Sequence, residues 1–293
     1  ATERECEELA DELSGLYDDE VAQFPSWETL PHERLSPAAD TIGRRLEVLN
    51  SVLSGRPPGI VVAAARSVVQ PISPAAARRE PVRLTRGAEV DPTDLMAHLA
   101  EFAYTREDMV ARRGDIAVRG GIVDVFPTTA DHPLRIEFDG DEIAEIREFS
   151  VADQRSLPDG EVEQVVLYPC RELLLDDDVR ARAGQLAAEH RANPTLAEGI
   201  PRDGMEALTS VLVPEDMTTL PMLMPADTRV VVCDPDKVRR RAADLASAGR
   251  EFLEASWTAA TMGGDAPVDS ETLDLSGSGY RTFSAVRSEA TEA

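Results

Sequence analysis

The sequence predicts a mixed α/β fold, a parallel-sheet domain split by an inserted, mostly antiparallel α+β domain. Three observations carry this. Residues 20–64 read strand, helix, strand, the order that gives a parallel pair with a right-handed crossover. Residues 112–149 alternate apolar and polar side chains over short runs separated by turn residues, which marks half-buried antiparallel strands. A second strand-helix unit over 229–254 resembles the first in type, so the antiparallel part lies between two pieces of one domain. The expected division is 1–78 and 170–262 for those pieces, 79–169 for the insert, and 263–293 for a weakly structured tail or linker.

Taken in order, Cys6, Leu9, Leu13 and Leu16 recur at helical spacing and predict a helix over 3–17. It opens with no strand or cap before it, as if the chain began partway through a larger domain. Glu20 to Phe24 is a short strand. Ser36 is read as the cap of the next helix, with Pro37 at its first position and Ile42, Leu46, Leu49 and Leu53 as its buried stripe. Gly59 introduces Ile60 to Ala64, an apolar run suited to a strand buried on both faces. Residues 71–80, rich in proline, alanine and arginine, look like a boundary. Asp94 to Ala103 predicts a helix with Leu95, His98, Leu99 and Phe102 on one side.

The antiparallel stretch then follows. Ile116 and Val118 share one face, Asp115 and Arg119 the other. Past Gly120 and Gly121 the phase flips: Val123 and Val125 look inward and Asp124 outward, which suggests a bulge or sharp bend at the glycines. Leu134, Ile136 and Phe138 face the core, leaving Arg135, Glu137 and Asp139 exposed together. Asp139-Gly140-Asp141 supplies a turn before a strand over Glu142 to Phe149, and Val165 to Leu167 is another short strand. Asp176 to Ala192 is helical with an acidic first turn. Arg229 to Cys233 predicts a buried strand. Asp234 and Pro235 start a helix to about Glu254, with Val238, Leu245 and Phe252 inward.

Composition narrows the function. No apolar run is long enough to span a membrane and the first residues lack a signal-peptide pattern, so no membrane partner is expected. Cys6, Cys170 and Cys233 are odd in number and far apart, which argues against a disulfide framework or a zinc site and for a reducing cytoplasm. A net charge of −25 argues against a direct grip on DNA phosphates and leaves two uses, solubility or a basic protein partner. Lys237 is the single lysine, so the chain carries no Gly-Lys-Ser/Thr loop able to cradle phosphates. Asp176, Asp177 and Asp178 read as a helix start rather than a metal site. The four histidines lie far apart; His98 belongs to a packing face, and His32, in a loop, has no catalytic partner nearby. Trp27 and Trp257 read as packing residues, and no serine, cysteine or histidine shows nucleophile spacing. Catalytic, metal and nucleotide-binding residues are therefore expected to be none.

Arg119 and Arg135 stand apart because both sit on the polar face of a strand, where core packing does not require them. Guanidinium groups on a rigid sheet suit bidentate contacts to a partner's carboxylates. The other reading is pairing inside the sheet, for instance with Asp115 or Glu137.

Two stretches carry a family resemblance. Phe24-Pro-Ser-Trp-Glu-Thr-Leu-Pro-His-Glu, continuing through Ser36-Pro-Ala-Ala-Asp-Thr-Ile-Gly-Arg-Arg-Leu, looks like the start of the bacterial transcription-repair coupling factors. Arg113-Gly-Asp-Ile-Ala-Val-Arg-Gly-Gly-Ile-Val-Asp-Val-Phe-Pro, with Arg135-Ile-Glu-Phe and Phe149-Ser-Val-Ala-Asp-Gln-Arg-Ser, resembles their second domain. The resemblance runs from about residue 1 to 280. It implies the N-terminal UvrB-like module, a helicase-like α/β domain split around a domain that binds UvrA, the damage-sensing ATPase, and so recruits excision repair to stalled transcription complexes. It implies that Arg119, Arg135 and Asp139 fall on the UvrA-contacting positions. The third of these is aromatic in the compared relative, and an acidic residue cannot supply the same apolar anchor. The family's translocase motor, with its ATP and magnesium, and its contacts with RNA polymerase and DNA lie in domains absent here, so this module needs no cofactor. The resemblance also implies that in the full-length protein the remainder of the chain masks the UvrA-binding surface. The alternative is a fragment of a UvrB-type, helicase-like DNA-damage ATPase. UvrB, however, has a longer, tyrosine-rich hairpin in the segment corresponding to Phe24 through Ser36, which is short and lacks tyrosine in this chain.

Overall fold

The computed structural model describes residues 2–30, 35–190, 194–261, 277 and 279–292. Helix α1 (Glu3–Ser14) does begin with a cap: the Thr2 hydroxyl accepts from the Glu5 amide and the Glu5 carboxylate accepts from the Thr2 amide. This corrects the uncapped start expected from sequence. It buries Cys6 and Ala10, while Leu16 is left exposed. Strands β1 (Val21–Phe24) and β2 (Ile60–Ala63) pair in parallel with Val21 opposite Ile60. A parallel pair needs a long crossover, here helix α2 (Ala39–Leu53). Its buried face runs through Ile42, Arg45, Leu49 and Val52, so Leu53 is exposed and an arginine lies inside. Ser36 does not cap α2. Glu28 does that work, its carboxylate accepting from the Ala38 amide and the Thr41 hydroxyl, and the Ser36 hydroxyl donates to Glu206 instead.

Residues 71–80 are packed. Ile72, Ala76 and Ala77 share a core with Phe24, Trp27, Leu46 and Tyr168, and Asn50 Nδ2 donates to the Ala77 carbonyl at 2.9 Å. The short helix α3 (Ala65–Val69) precedes them. Strand β3 (Val82–Thr85) then leads to helix α4 (Pro92–Glu101), capped by Asp91. A six-stranded sheet follows: β4 (Thr105–Arg106), β5 (Asp115–Arg119), β6 (Ile122–Val125), β7 (Leu134–Asp139), β8 (Glu142–Phe149) and β9 (Ser156–Glu161), in that spatial order. Its pairs are antiparallel apart from β4 with β5. Strand β10 (Gln164–Leu167) returns to pair with β3.

One face of this sheet packs Ile116, Val123, Val125, Ile136 and Ile146 onto Leu95, Leu99 and Phe102. That is the core the alternation implies. His98 is exposed rather than on the packing side of α4. The phase flip at Gly120–Gly121 is a two-residue hairpin turn joining two strands. Arg119 faces Ile122 across it, and Gly120 has a φ of +62° that a side chain would disfavour. Strand β9 has no alternation to announce it. It lies at the sheet edge, where a proline such as Pro158 is tolerated.

Helix α5 (Asp177–His190) starts where Asp176 accepts from the Val179 amide at 3.0 Å, and packs with Leu196, Met205 and Leu212. Two short helical turns follow, α6 (Thr209–Leu212) and α7 (Leu220–Leu223). The strand expected over Arg229 to Cys233 does not form: Val230 and Val231 are 67% and 83% exposed. A β-branched run becomes a strand only beside an edge that pairs with it, and among the described residues β1 and β2 pair with each other alone. Helix α8 (Pro235–Thr261) runs longer than expected and buries Val238, Ala242 and Leu245; the Phe252 side chain lies outside the described residues. The expected tail is partly a helix, α9 (Phe283–Glu292), which buries Val286 beside Tyr280 against Val69 and Leu245. Residues 262–276 lie outside the described set. Among the described residues no helix is long and apolar enough to cross a membrane.

Candidate docking site

Residues opposite each other in a ladder point the same way. The register therefore puts Ala117, Asp124, Arg135 and Arg147 in one row across β5 to β8, and Arg119, Ile122, Glu137 and Glu145 in the next. Both arginines singled out by sequence lie on the face away from the main core. That face is not simply the solvated one, however. The loop over residues 107–112 crosses it, and Val110, Ala117, Phe126 and Phe149 form a small buried cluster beneath. Asp115 and Asp124, expected to point outward, are therefore buried. Asp115 Oδ2 accepts from the amides of Ala111 and Arg112 at 3.0 and 2.8 Å, which fastens the loop to the sheet.

Asp124 holds Arg135. Nε and Nη2 of the arginine donate to the two carboxylate oxygens, each at 2.8 Å, and the guanidinium lies 4.9 Å from the centre of the Phe149 ring. The pair answers the sequence alternative of intrasheet pairing, with Asp124 as partner rather than Asp115 or Glu137. Its carboxylate side is 3% exposed and its arginine side 19%, so Arg135 keeps a narrow edge toward solvent. The hydrogen bonds to Asp124 hold the guanidinium proton affinity above its ordinary value.

Arg119 is different. It is exposed at the end of β5, and its Nη2 donates to the Asp108 carbonyl at 2.5 Å, which aims the side chain without neutralising it. Its charge remains available to a carboxylate outside the chain. Asp139 is exposed at the β7–β8 hairpin, opposite Glu142, just past a register shift between Glu137 and Phe138. Four residues of strand put it about 13 Å from Arg135. The register thus places Arg135 and Asp139 on β7 two residues to either side of Glu137, which stands in the row of Arg119, with Asp139 at the hairpin end of the strand.

Sequence reasoning missed a second arginine-carboxylate pair. Arg45 is fully buried and pairs through Nε with Glu172, whose Oε1 also accepts from Trp27 Nε1 at 3.2 Å. Arg45 Nη1 donates to the Pro25 carbonyl at 2.8 Å, and its guanidinium lies 4.3 Å from the centre of the Phe24 ring. The spacing of Arg45 from Ile42 and Leu49 already places it on the buried stripe of α2. Burial raises the thiols of Cys6, to about 11, and of Cys170, so neither is a thiolate near neutral pH. His32 lies outside the described residues, and among those described no group of three or more His, Cys, Asp or Glu side chains is arranged to hold a metal.

Comparison with known proteins shows what the chain is similar to. Residues 82–173, which contain the six-stranded sheet, match the UvrB interaction domain. Over 99% of its length the chain is 51% identical to the transcription-repair-coupling factor of Mycobacterium tuberculosis, covering 25% of that protein. It is 31% identical to the Bacillus subtilis transcription-repair-coupling factor over 61% of the chain and 15% of the relative. A UvrABC system protein B from Streptococcus agalactiae is 35% identical over 54% of the chain and 23% of the relative. The chain spans about a quarter of the length of the mycobacterial relative.

Proposed function

We propose that this chain, a relative of the transcription-repair-coupling factors along nearly its whole length and bearer of a UvrB interaction domain, is a docking module that receives UvrA. The observation that carries the reading is a coincidence of place: the residues that match the interaction domain build the one sheet face on which Arg119 and Arg135 stand together. Arg119 offers a charged, aimed and solvent-facing guanidinium, which suits a bidentate contact to a carboxylate of the partner. Arg135 contributes its open edge and fixes the surface through Asp124. Asp139 belongs to the margin of the contact.

In this reading the module recruits UvrA to stalled transcription complexes for excision repair in the cytoplasm, performs no catalysis and holds no cofactor. ATP-driven translocation and the contacts with RNA polymerase and DNA fall to other parts of the longer protein, whose remainder masks the docking face until it is needed. The two pieces flanking the interaction domain are then the halves of one split, helicase-like domain. Gel filtration of the purified chain with purified UvrA tests this directly. The expected result is co-elution of the wild-type chain and its loss in the Arg119→Ala/Arg135→Ala double variant. Separate elution of wild-type chain and UvrA would overturn the reading.

A further inference from the structure

Two loops lie beside Arg119 and Arg135, and each presents one large apolar side chain to solvent. Met109 is 55% exposed and Val151 38%. The loop carrying Met109 is tied to Arg119 through the Asp108 carbonyl, and the loop carrying Val151 is tied to Arg135 through the Gln154 carbonyl at 3.4 Å. Gln154 also joins the loops to each other: its Nε2 donates to the carbonyls of Val110 and Val151 at 3.2 and 3.0 Å. It does so at a φ of +60°, a backbone state that a residue other than glycine adopts rarely and at a cost. Val110, beside Met109, is fully buried in the cluster under the loop. Met109 and Val151 are therefore carried on loops packed from beneath and locked together, not on free tips.

We propose that Met109 and Val151 form the apolar centre of the docking surface, with Arg119 and the open edge of Arg135 as its charged rim. An apolar centre inside a polar rim is the usual layout of a protein interface. The partner it fits is a protein surface with an apolar patch flanked by carboxylates. A polyanion such as nucleic acid suits it less, because Glu107, Asp108 and Glu137 stand exposed around the arginines and the chain carries a net charge of −25. The inference rests on the reading of the chain as a UvrA-binding module. It assigns to two loop residues the apolar contact that Asp139, an acidic side chain beyond Glu137 on the same strand, cannot make.

The test compares UvrA affinity, by titration calorimetry, for the wild-type chain, Met109→Ala/Val151→Ala, Met109→Leu/Val151→Ile, Asp139→Ala and Arg119→Ala, with thermal unfolding as the control on folding. Both loop side chains are exposed, so the variants are expected to fold as the wild type does. The double alanine variant should bind about tenfold more weakly or worse. The Leu/Ile variant and Asp139→Ala should stay close to the wild type. If the double alanine variant binds like the wild type while Arg119→Ala loses affinity, the apolar centre is wrong and the docking reading stands. If the wild-type chain fails to bind UvrA, both fall.

Discussion

Arg45 and Arg135 each grip a carboxylate through their guanidinium nitrogens and each lie over a phenylalanine ring, yet one pair is sealed in the interior and the other keeps an edge in solvent. Arg45 comes from α2 and Glu172 from the segment after β10, so this pair fastens the pieces on either side of the sheet unit to each other. Arg135 and Asp124 sit on neighbouring strands and fasten only the sheet face and its covering loops. The same chemistry thus serves two ends, set by burial and by how far apart in sequence the partners lie. In the first the ion pair is consumed by folding. In the second it is a platform, beside which Arg119 stays charged and exposed.

The comparison breaks most visibly at the buried pair. Glu172→Ala removes the counter-charge of a fully buried guanidinium and the acceptor of Trp27 Nε1, which should lower stability by about 3–5 kcal/mol. Urea unfolding would read this as a fall in midpoint, and a change within about 1 kcal/mol would show that the pair is not the fastening described. Arg135→Ala should cost less, about 2–3 kcal/mol, because its side chain is 19% exposed and water can reach the site. A double-mutant cycle with Asp124→Ala isolates the term. The double variant should be more stable than the sum of the single losses, since no buried carboxylate is then left alone. Any weaker UvrA binding by Arg135→Ala must be read against this loss of stability.

How much of this was legible in the sequence depends on distance along the chain. The strands from β5 to β8 and the stripe on α2 were readable because their periodicity is local, and the hairpin at Gly140 announced itself by its turn residues. Alternation also separated the two sheet faces correctly. It could not show that the second face is covered, because the cover is the loop at 107–112, and so Asp124 looked like a surface residue when it is the buried anchor of Arg135. Val230 and Val231 failed in the opposite sense: their side chains favour a strand, but pairing is decided by whichever edge lies nearby. Gln154, whose left-handed backbone locks the loops, left no local signal at all.

The smallest expected effect separates surface charge from both pairs. Glu5 is held down to about 2 from its ordinary carboxylate value of 4.5, first by the hydrogen bond from Lys237 Nζ and then by the Thr2 amide. A depressed carboxylate contributes stability that is present above its unfolded value and lost as pH falls through its folded one. The contribution of Glu5 should therefore fade between about pH 4.5 and 2. Glu5→Gln should flatten the acid dependence of the unfolding midpoint in that window, lowering the midpoint slightly at neutral pH and matching the wild type near pH 2. An equal slope in variant and wild type would contradict the assignment.

Titration calorimetry of UvrA with the wild-type chain and Arg119→Ala tests most directly whether the sheet face around Arg119 docks UvrA. Arg119 is exposed and its removal leaves no carboxylate unpaired in the core, so the unfolding midpoint should stay within the scatter of a surface substitution. Affinity should fall by about 1–3 kcal/mol, roughly fivefold to a hundredfold or more. Equal affinity of the two proteins, with the midpoint unchanged, would contradict the account.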